Sequence, residues 1–550
     1  MRRAAVVALV AVAVAVGTWY VVRSGPVTAQ GLADQSCSSL AAAFRRQGDA
    51  LRNEAARAVA PARQAAAKKR QFRDFAAAIT RLTALTPVSG AGTVARPPDL
   101  ALVSSTCHSA VVAKSLAVVT RAPYLTDATP HSVMVNFATD RLAAGTAVSY
   151  GTAGGSCGDS HSAPTTDPVK VAVGTRTDFL YQIELTGLSP GTGYCYQLGG
   201  SVFDLSTRAV PARFVTAAAP DDHRPFSFAV IGDWGGGTGD QANVLAQIAS
   251  SPASFIVTSG DNAYISGNQT DYGDLSDGHV FGPDLWPRVG SRLPTFATQG
   301  NHGFSIYQPQ LQNWPQPETV LASGGAYQRD KYCCMSTLSR PYNYASTWYA
   351  FDWGPARFYV LDGAWADHTG DYTGDYLAHW NGPVAGCPAC GAELHWLQTD
   401  LAAHAATPVK FAFFHYPLYS DASDHLSDTL LAGPTRLEGL LARNRVDIVF
   451  NGHAHLYERN APQIPGSPMV SYVTGGGGVR NGTDTLASVI RCSAFDAYAI
   501  GLAHTSCHAP QPVSDQAVYH YLLVTVDGTH VTVTPTDENG HTFDVQTFNF

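Results

Sequence analysis

The chain has 550 residues, of which 45% are hydrophobic and 14% are charged, and its formal net charge is -8. This length exceeds a single core of ordinary size, so two or three domains are expected. The low charge density and the scarcity of basic runs argue against binding to nucleic acid or to an anionic lipid surface.

The first 29 residues are predicted to be a targeting segment. Two arginines precede a charge-free, mostly apolar run over residues 4–22, and Val27 and Ala29 have the spacing of a cleavage site after Ala29. Because the run is also about as long as a membrane-spanning helix, residues 1–29 are either a signal peptide or an uncleaved signal anchor. Either interpretation predicts a secreted or extracytoplasmic protein, with membrane anchoring in the second case.

All ten cysteines follow this segment, and an even number in an oxidising compartment favours disulfide bonds over free thiols. Pairs that are close in sequence are the first candidates, namely Cys157 with Cys195 and Cys492 with Cys507. Cys387-Pro-Ala-Cys390 has the spacing of a redox motif or of half a zinc site. No second motif of this kind occurs, so a structural disulfide is preferred there as well.

Composition divides the remaining chain into three regions. Residues 30–117 are rich in Ala and Arg, and hydrophobic residues at helical spacing predict an α-helical segment that ends in a linker. Residues 118–217 contain short alternating runs between turns, which predict an all-β sandwich. Residues 225–550 alternate apolar strands with longer mixed segments, which is typical of an α/β domain, and end in a predicted β-hairpin at 521–533.

Five predicted strands of the α/β region end in side chains that can bind metal ions. Because ligands gather at the carboxyl ends of strands in α/β sheets, these side chains are expected to meet in one crevice. Carboxylate and phenolate suit a hard cation, whereas imidazole and amide oxygen suit a divalent one, so two adjacent cations are predicted. The candidates are Asp233, Asp261, Tyr264, Asn301, His415, His453 and His455.

Taken singly, most of these residues have a more ordinary explanation. Asp or Asn after a strand is most often a turn residue or a helix cap, and a lone His or Tyr is most often a core residue. The Gly-His-Ala-His motif at 452–455 is evenly balanced between a ligand role and a structural one. The occurrence of all the motifs in order, each at a strand end, favours the metal site.

Glycines accompany the ligand motifs. A glycine precedes Asp233, Asp261, Asn301 and His453, and it is expected to let the backbone turn sharply so that the ligand projects from the strand end. The glycine runs at 235–239 and 475–478 could also suggest a nucleotide-binding loop. That interpretation is disfavoured because neither run has the Lys-Ser/Thr pair of a phosphate-binding loop.

The combined motifs resemble a known signature. Asp-x-Gly, Gly-Asp-x-x-Tyr, Gly-Asn-His, a lone strand-end His and Gly-His-x-His resemble the calcineurin-like metallophosphoesterase superfamily, and the Tyr of the second motif resembles its purple acid phosphatase branch. The similarity covers residues 118–550. It implies a multidomain protein with a four-layer αββα sandwich after an all-β domain, and the stretch 185–194 resembles a fibronectin type III domain.

The resemblance also implies which residue holds which ion. Asp233, Tyr264 and His455 would hold the first ion, Asn301, His415 and His453 would hold the second, and Asp261 would bridge the two. A phenolate ligand would favour Fe(III) at the first position, with Zn(II), Mn(II) or Fe(II) at the second.

The implied reaction is hydrolysis of phosphate monoesters by a metal-bound hydroxide. His302, next to Asn301, is the candidate general acid or transition-state stabiliser. His425 follows His415 at the offset of a substrate-binding His of the family, although a surface position is an equal alternative. Family members often carry an acidic residue where this chain has Gly303, so the resemblance does not define the substrate pocket at this position.

The expected partner is a phosphorylated small molecule, and nothing in the sequence decides the oligomeric state. Two alternatives remain. A phosphodiesterase, nucleotidase or pyrophosphatase of the same superfamily would use the same ions with a different pocket. A surface binding protein with a vestigial metal centre would keep the ligands without turnover.

Overall fold

The computed structural model describes residues 117–550 except for 144, 155–160, 165–166, 200–201, 204–211, 276–278, 283–288, 304–307, 317–329, 332–340, 343–347, 363–391, 480–484, 503–504 and 510–517. The predicted targeting segment and, apart from its last residue, the predicted helical segment lie outside the described residues. Within the described part of the chain, no helix is long and apolar enough to cross a membrane.

The first described region is a β-sandwich. Its strands are β1 Ala117–Thr126, β2 Ser132–Thr139, β3 Ala147–Thr152, β4 His161–Pro164, β5 Val169–Val173, β6 Arg176–Thr186, β7 Gly193–Gly199, β8 Val202–Phe203 and β9 Ala212–Val215. They form sheets with the orders β5-β6-β2-β1-β8 and β4-β3-β7-β9. In β6, Tyr181, Ile183 and Leu185 are buried and the residues between them are not, which is the alternation that predicts a sandwich. The likeness to a fibronectin type III domain stays a prediction.

The second region alternates strands and helices. Its strands are β10 Phe226–Ile231, β11 Ile256–Thr258, β12 Thr295–Phe296, β13 Asp330–Lys331, β14 Pro341–Tyr342, β15 Tyr349–Trp353, β16 Ala356–Val360, β17 Val409–Phe413, β18 Ile448–Asn451, β19 Tyr457–Asn460, β20 Val470–Thr474, β21 Asp496–Ile500, β22 Ser506–Cys507, β23 His520–Asp527, β24 His530–Asp537 and β25 Gln546–Asn549. Its helices are α1 Gly239–Ser250, α2 Gln269–Tyr272, α3 Gln308–Asn313, α4 Ala392–Ala403 and α5 Leu437–Arg443.

Two mixed sheets form the centre of this region, with the orders β12-β11-β10-β23-β24-β25 and β15-β16-β17-β18-β20-β19-β21-β22. Helix α1 covers the first sheet, and its Ile248 shares an apolar cluster with Ile231. Helices α4 and α5 cover the second sheet, where Leu397 and Leu441 share a cluster with Phe414. The order of layers is therefore helix, sheet, sheet, helix.

Aromatic side chains fill the space between the two sheets. The ring of Phe228 in β10 lies 5.2 Å from that of Phe358 in β16 and 5.3 Å from that of Phe411 in β17, measured between centroids. Full burial of each such side chain contributes about 1.5–3 kcal/mol to folding. Strands buried on both faces have continuous apolar sequences, and their packing gives the polar residues at their ends a rigid base.

The sandwich is joined to the second region by a buried arginine. Arg121 of β1 is fully buried, and its guanidinium lies 4.6 Å from the ring centroid of Phe281. Its nitrogen atoms donate to Gly273 O at 2.9 Å, to Gln269 Oε1 at 2.9 Å, to Gln269 O at 3.0 Å and to Asn313 Oδ1 at 2.8 Å. All of these acceptors lie in α2, in α3 or directly after α2, so one side chain holds both helices against the sandwich.

Two local predictions are confirmed. Cys492 and Cys507 form a disulfide across a sequence separation of 15 residues, and β23 pairs antiparallel with β24 around the turn at Gly528. Cys195 is also disulfide-bonded, whereas its predicted partner Cys157 lies outside the described residues, as do the two cysteines at 387 and 390.

Candidate metal centre

The seven candidate ligands follow the carboxyl ends of five strands. Strands β10, β11 and β12 are parallel to one another, as are β17 and β18, so each group of ends lies on one side of its sheet. The ligands that follow these strands are Asp233 after β10, Asp261 and Tyr264 after β11, Asn301 after β12, His415 after β17, and His453 and His455 after β18. All except Asn301 are at most 7% exposed. The structure brings all seven together.

Three of the seven side chains form a first cluster, namely Asp233, Tyr264 and His455. The Tyr264 hydroxyl lies 3.0 Å from Asp233 Oδ1 and 3.5 Å from His455 Nε2. His455 Nε2 is in turn 3.4 Å from Asp233 Oδ1. The three donor atoms therefore converge on one point.

The second cluster contains Asn301, His415 and His453. Asn301 Oδ1 lies 2.7 Å from His415 Nε2 and 3.0 Å from His453 Nδ1. Asp261 stands between the two clusters, because its Oδ2 is 3.0 Å from the Tyr264 hydroxyl and 3.3 Å from His415 Nε2. One carboxylate is thus shared by both groups of donors.

The backbone at the centre adopts an unusual conformation. Asp233, Asp261 and His453 have φ angles of 55°, 48° and 67°, and such a conformation costs a non-glycine residue about 1–3 kcal/mol. The expectation that the preceding glycine supplies the turn is correct only for Gly260, whose φ is 104°. At the other positions it is wrong. At Asp233 and His453, the ligand residue itself adopts the left-handed conformation.

Glycine is required before His453 for a steric reason. A Cβ atom at Gly452 would lie 2.6 Å from Asp233 Oδ2 and 2.7 Å from the Ser259 carbonyl oxygen, where ordinary contacts begin at 3.4 Å. A Cβ at Gly300 would likewise overlap Asp261 Oδ1. The chain passes so close to the ligand carboxylates that these positions have no room for a side chain.

The first cluster concentrates negative charge. Burial, together with the carboxylates of Asp233 and Asp261, raises the pKa of Tyr264 well above that of a free phenol. Burial by itself would lower the pKa of His455, but hydrogen bonds to Asp233 and Asp424 raise it to about 10. Ionisation of Tyr264 to a phenolate therefore requires an added positive charge.

In the second cluster, the surroundings of one histidine disfavour its protonated form. Burial, and then the neighbouring side chains of His425 and His415, lower the pKa of His453 well below its usual value. A neutral imidazole with a lone pair facing Asn301 is the form that binds a metal ion.

The tautomer of His415 agrees with the same role. Its Nδ1 lies 2.9 Å from the Ser259 carbonyl oxygen, which can only accept, so the ring proton is on Nδ1. The Nε2 lone pair of the neutral ring then faces oxygen atoms of Asn301 and Asp261, an arrangement that a cation between these atoms would stabilise. The donor set and its burial fit a pair of cations.

The two histidines predicted for catalysis border the clusters. His302 is 22% exposed at its side chain, and its Nε2 lies 3.8 Å from Asp261 Oδ2. Its Nδ1 is hydrogen-bonded to the Ile265 carbonyl oxygen, so Nε2 is the nitrogen that faces the centre. The ring of His425 stacks on that of His453 at a centroid distance of 3.6 Å. His425 lies in the loop at 421–428 and is partly exposed, yet it borders the second cluster, and its binding of substrate stays a prediction.

Sequence reasoning missed Asp424, which contacts the first cluster. Its Oδ2 lies 3.0 Å from His455 Nδ1. An aspartate beside a histidine in a polar loop gives no signal of its own. A search for carboxylates near the second nitrogen of a candidate ligand needs the folded chain.

Comparison with known proteins agrees with this geometry. Residues 226–457 match the family model of the calcineurin-like phosphoesterases, and residues 122–210 match that of the purple acid phosphatase N-terminal domain. The chain carries a calcineurin-like phosphoesterase domain. The family resemblance predicted from the motifs is thereby confirmed, and the phosphoesterase domain contains all seven candidate ligands.

Proteins similar to this chain include plant and fungal phosphatases. Purple acid phosphatase 21 of Arabidopsis thaliana is 26% identical over 318 residues, which cover 55% of this chain and 59% of that protein. Acid phosphatase of Aspergillus ficuum is 24% identical over 399 residues, which cover 54% of this chain and 63% of that protein. The chain thus spans less than two thirds of the length of either relative.

A solved structure shares the fold. The purple acid phosphatase PPD1 from yellow lupin (Lupinus luteus) seeds superimposes with a TM-score of 0.55 over 78% of this chain and 74% of that chain. The sequences are 17% identical, so this similarity concerns the fold alone.

Proposed function

We propose that the protein is an exported hydrolase of phosphate monoesters that works with two metal ions. One observation carries the proposal. Seven donor side chains from five strand ends converge as two clusters that share Asp261, in a phosphoesterase domain whose relatives include purple acid phosphatases. Asp233, Tyr264 and His455 would hold the first ion, and Asn301, His415 and His453 the second. These assignments follow the first and second clusters.

The donor types indicate the metals. A phenolate and a carboxylate favour Fe(III) at the first cluster, and the amide oxygen and two imidazoles favour Zn(II), Mn(II) or Fe(II) at the second. When bound, such a pair of ions supplies Lewis-acid activation of water and neutralises the charge of a phosphate.

Residues of the chain perform the remaining steps. His302 presents Nε2 to the centre while its Nδ1 proton is held by the Ile265 carbonyl oxygen. In the imidazolium form of His302, the second proton is on Nε2, where it is placed for donation to the leaving alkoxide. His425 stacks against His453, and we propose that it binds a phosphate oxygen beside the second cluster. Burial of six of the seven candidate ligands limits the access of water to them.

Export is proposed from two independent features. Residues 1–29 have the sequence of a signal peptide or signal anchor, and the disulfide between Cys492 and Cys507 is stable in an oxidising compartment. The substrate would then be a phosphorylated small molecule outside the cytoplasm.

Metal content and ester preference test the proposal. We expect two bound ions by elemental analysis, a visible charge-transfer band, and turnover of p-nitrophenyl phosphate in preference to its bis-ester. Tyr264→Phe should remove the band and His302→Ala should lower turnover. Tyr272→Phe is the matched control, because Tyr272 is an equally buried tyrosine whose hydroxyl donates to Gln310.

Other outcomes would redirect the assignment. Metal without the band, together with preference for the bis-ester, would favour a phosphodiesterase of the same fold. A folded protein that bound no metal after reconstitution with iron, zinc or manganese, and cleaved neither ester, would favour the binding-protein alternative.

A further inference from the structure

One carboxylate outside the seven ligands touches both a ligand and a substrate-side residue. Asp424 lies in the loop between β17 and α5. Its Oδ2 is 3.0 Å from His455 Nδ1 and accepts the backbone N–H of His455 at 3.3 Å. Its Oδ1 accepts the backbone N–H of His425 at 2.8 Å. The contacts of Oδ2 therefore connect the loop after β17, which carries Asp424, with the loop after β18, whereas Oδ1 bonds to the next residue of its own loop.

The contact with Nδ1 determines what the other nitrogen of His455 can do. An aspartate carboxylate accepts hydrogen bonds, so the Nδ1 proton of His455 points to Asp424. The remaining nitrogen, Nε2, is then directed at the Tyr264 hydroxyl and Asp233 Oδ1, at 3.5 Å and 3.4 Å. Rotation of the ring would break the bond to Asp424 and would turn Nε2 away from the first cluster.

We propose that Asp424 is a positioning residue that orients His455 for the ion of the first cluster. This inference rests on the proposed function. A carboxylate behind a metal-binding imidazole fixes the ring orientation and makes the ligand more basic, and loss of such a partner costs about 10–100-fold in metal affinity.

If Asp424 served mainly to stabilise the fold, its removal would lower the unfolding temperature of the metal-free protein. The Asp424 side chain is 25% exposed, and ion pairs that reach solvent contribute about 0–1 kcal/mol. Removal of the carboxylate should therefore leave the unfolding temperature of the metal-free protein almost unchanged. The effect should fall on metal binding.

The experiment measures metal affinity rather than turnover. The full chain is freed of metal, and Zn²⁺ is titrated against a chelator for the unaltered protein, Asp424→Asn and Asp424→Ala. Asp424→Ala should weaken the binding of one of the two ions by about 10–100-fold. Asp424→Asn should weaken it less, because an amide oxygen still accepts the Nδ1 proton. After loading with iron, the charge-transfer band of Asp424→Ala should also shift or weaken.

Asp352→Asn is the matched control. Asp352 lies in β15, the edge strand of the second sheet, and its carboxylate is 39% exposed and paired with Arg357 of β16. This variant should bind both ions as the unaltered protein does. Unchanged affinity for both ions in Asp424→Ala would overturn the inference. So would an equal loss in Asp352→Asn, or a fall in the unfolding temperature of the metal-free protein large enough to explain the loss. If the unaltered protein bound no ion, the proposed function itself would fail.

Discussion

Substitution of Gly452 by alanine should move a metal ligand without removing it. The added Cβ would lie 2.6 Å from Asp233 Oδ2, whereas ordinary contact starts at 3.4 Å. The difference, 3.4 - 2.6 = 0.8 Å, must be taken up by Asp233 or by the backbone of the motif at 452–455. The φ of Gly452 is not positive, so the effect is steric and not conformational.

Displacement on this scale exceeds the tolerance of about 0.5 Å within which a functional side chain must be held. A misplacement near 1 Å can cost about 100-fold in rate, which corresponds to about 2.7 kcal/mol of transition-state stabilisation. We therefore expect Gly452→Ala to lower kcat/KM for p-nitrophenyl phosphate by about 100-fold, with weaker metal binding and a largely preserved far-ultraviolet circular dichroism spectrum.

The control is Gly239→Ala. Gly239 begins α1, and a Cβ there would meet no atom within 4 Å. Alanine has the higher helix propensity, so activity should be unchanged and stability equal or slightly greater. If Gly452→Ala kept full metal content and kcat/KM within about twofold of the unaltered protein, the reasoning that close backbone approach positions Asp233 would be refuted.

Three further predictions concern stability. Arg121→Met should lower the free energy of unfolding in urea by about 3 kcal/mol, because buried acceptors lose a charged donor. Arg443 is exposed, so Arg443→Met should change this free energy little. Equal effects of the two substitutions would contradict the argument. Replacement of both Cys492 and Cys507 by serine should cost about 3 kcal/mol for a loop of 15 residues. Because Cys195 is also disulfide-bonded, dithiothreitol should destabilise both proteins, but it should destabilise the unaltered protein more. Burial lowers the pKa of His520 to about 4. The unfolded chain therefore binds that proton first, and the free energy of unfolding should fall by up to about 3 kcal/mol as the pH drops from about 6.5 to 4. His520→Gln should flatten that pH dependence, and an unchanged slope would show that another group causes it.

The convergence of the seven candidate ligands could be predicted from the sequence because each motif is local. An apolar strand followed by Gly-Asp or Gly-His places a side chain at a strand end, and the fold then brings the strand ends together. The division into clusters came from the family resemblance, and the described geometry reproduces it around Asp261. The conformational role of the glycines was predicted wrongly, since crowding by atoms from distant strands cannot be read from the neighbouring residues.

Residues whose partners are distant could not be predicted. Asp424 contacts His455 across 31 positions, and only the path of the loop makes that contact. Arg121 would be expected to face solvent in an alternating strand, yet two of its acceptors lie 148 and 192 residues away. The burial of such a charge depends on the surface that the second region presents to the sandwich.

The contacts of Arg121 also bear on how the protein can be divided. Arg121 donates hydrogen bonds to α2, which begins five residues after Tyr264. The sandwich therefore stabilises the segment that carries a candidate ligand of the first cluster. Proteolysis of the connection between residues 217 and 225 would break the chain but leave these contacts in place. The two fragments should then stay together as one particle. A phosphoesterase domain produced alone would expose the acceptors at Gln269 and Asn313 to water. The sandwich is therefore a structural part of the phosphoesterase domain and not an independent domain that could be exchanged.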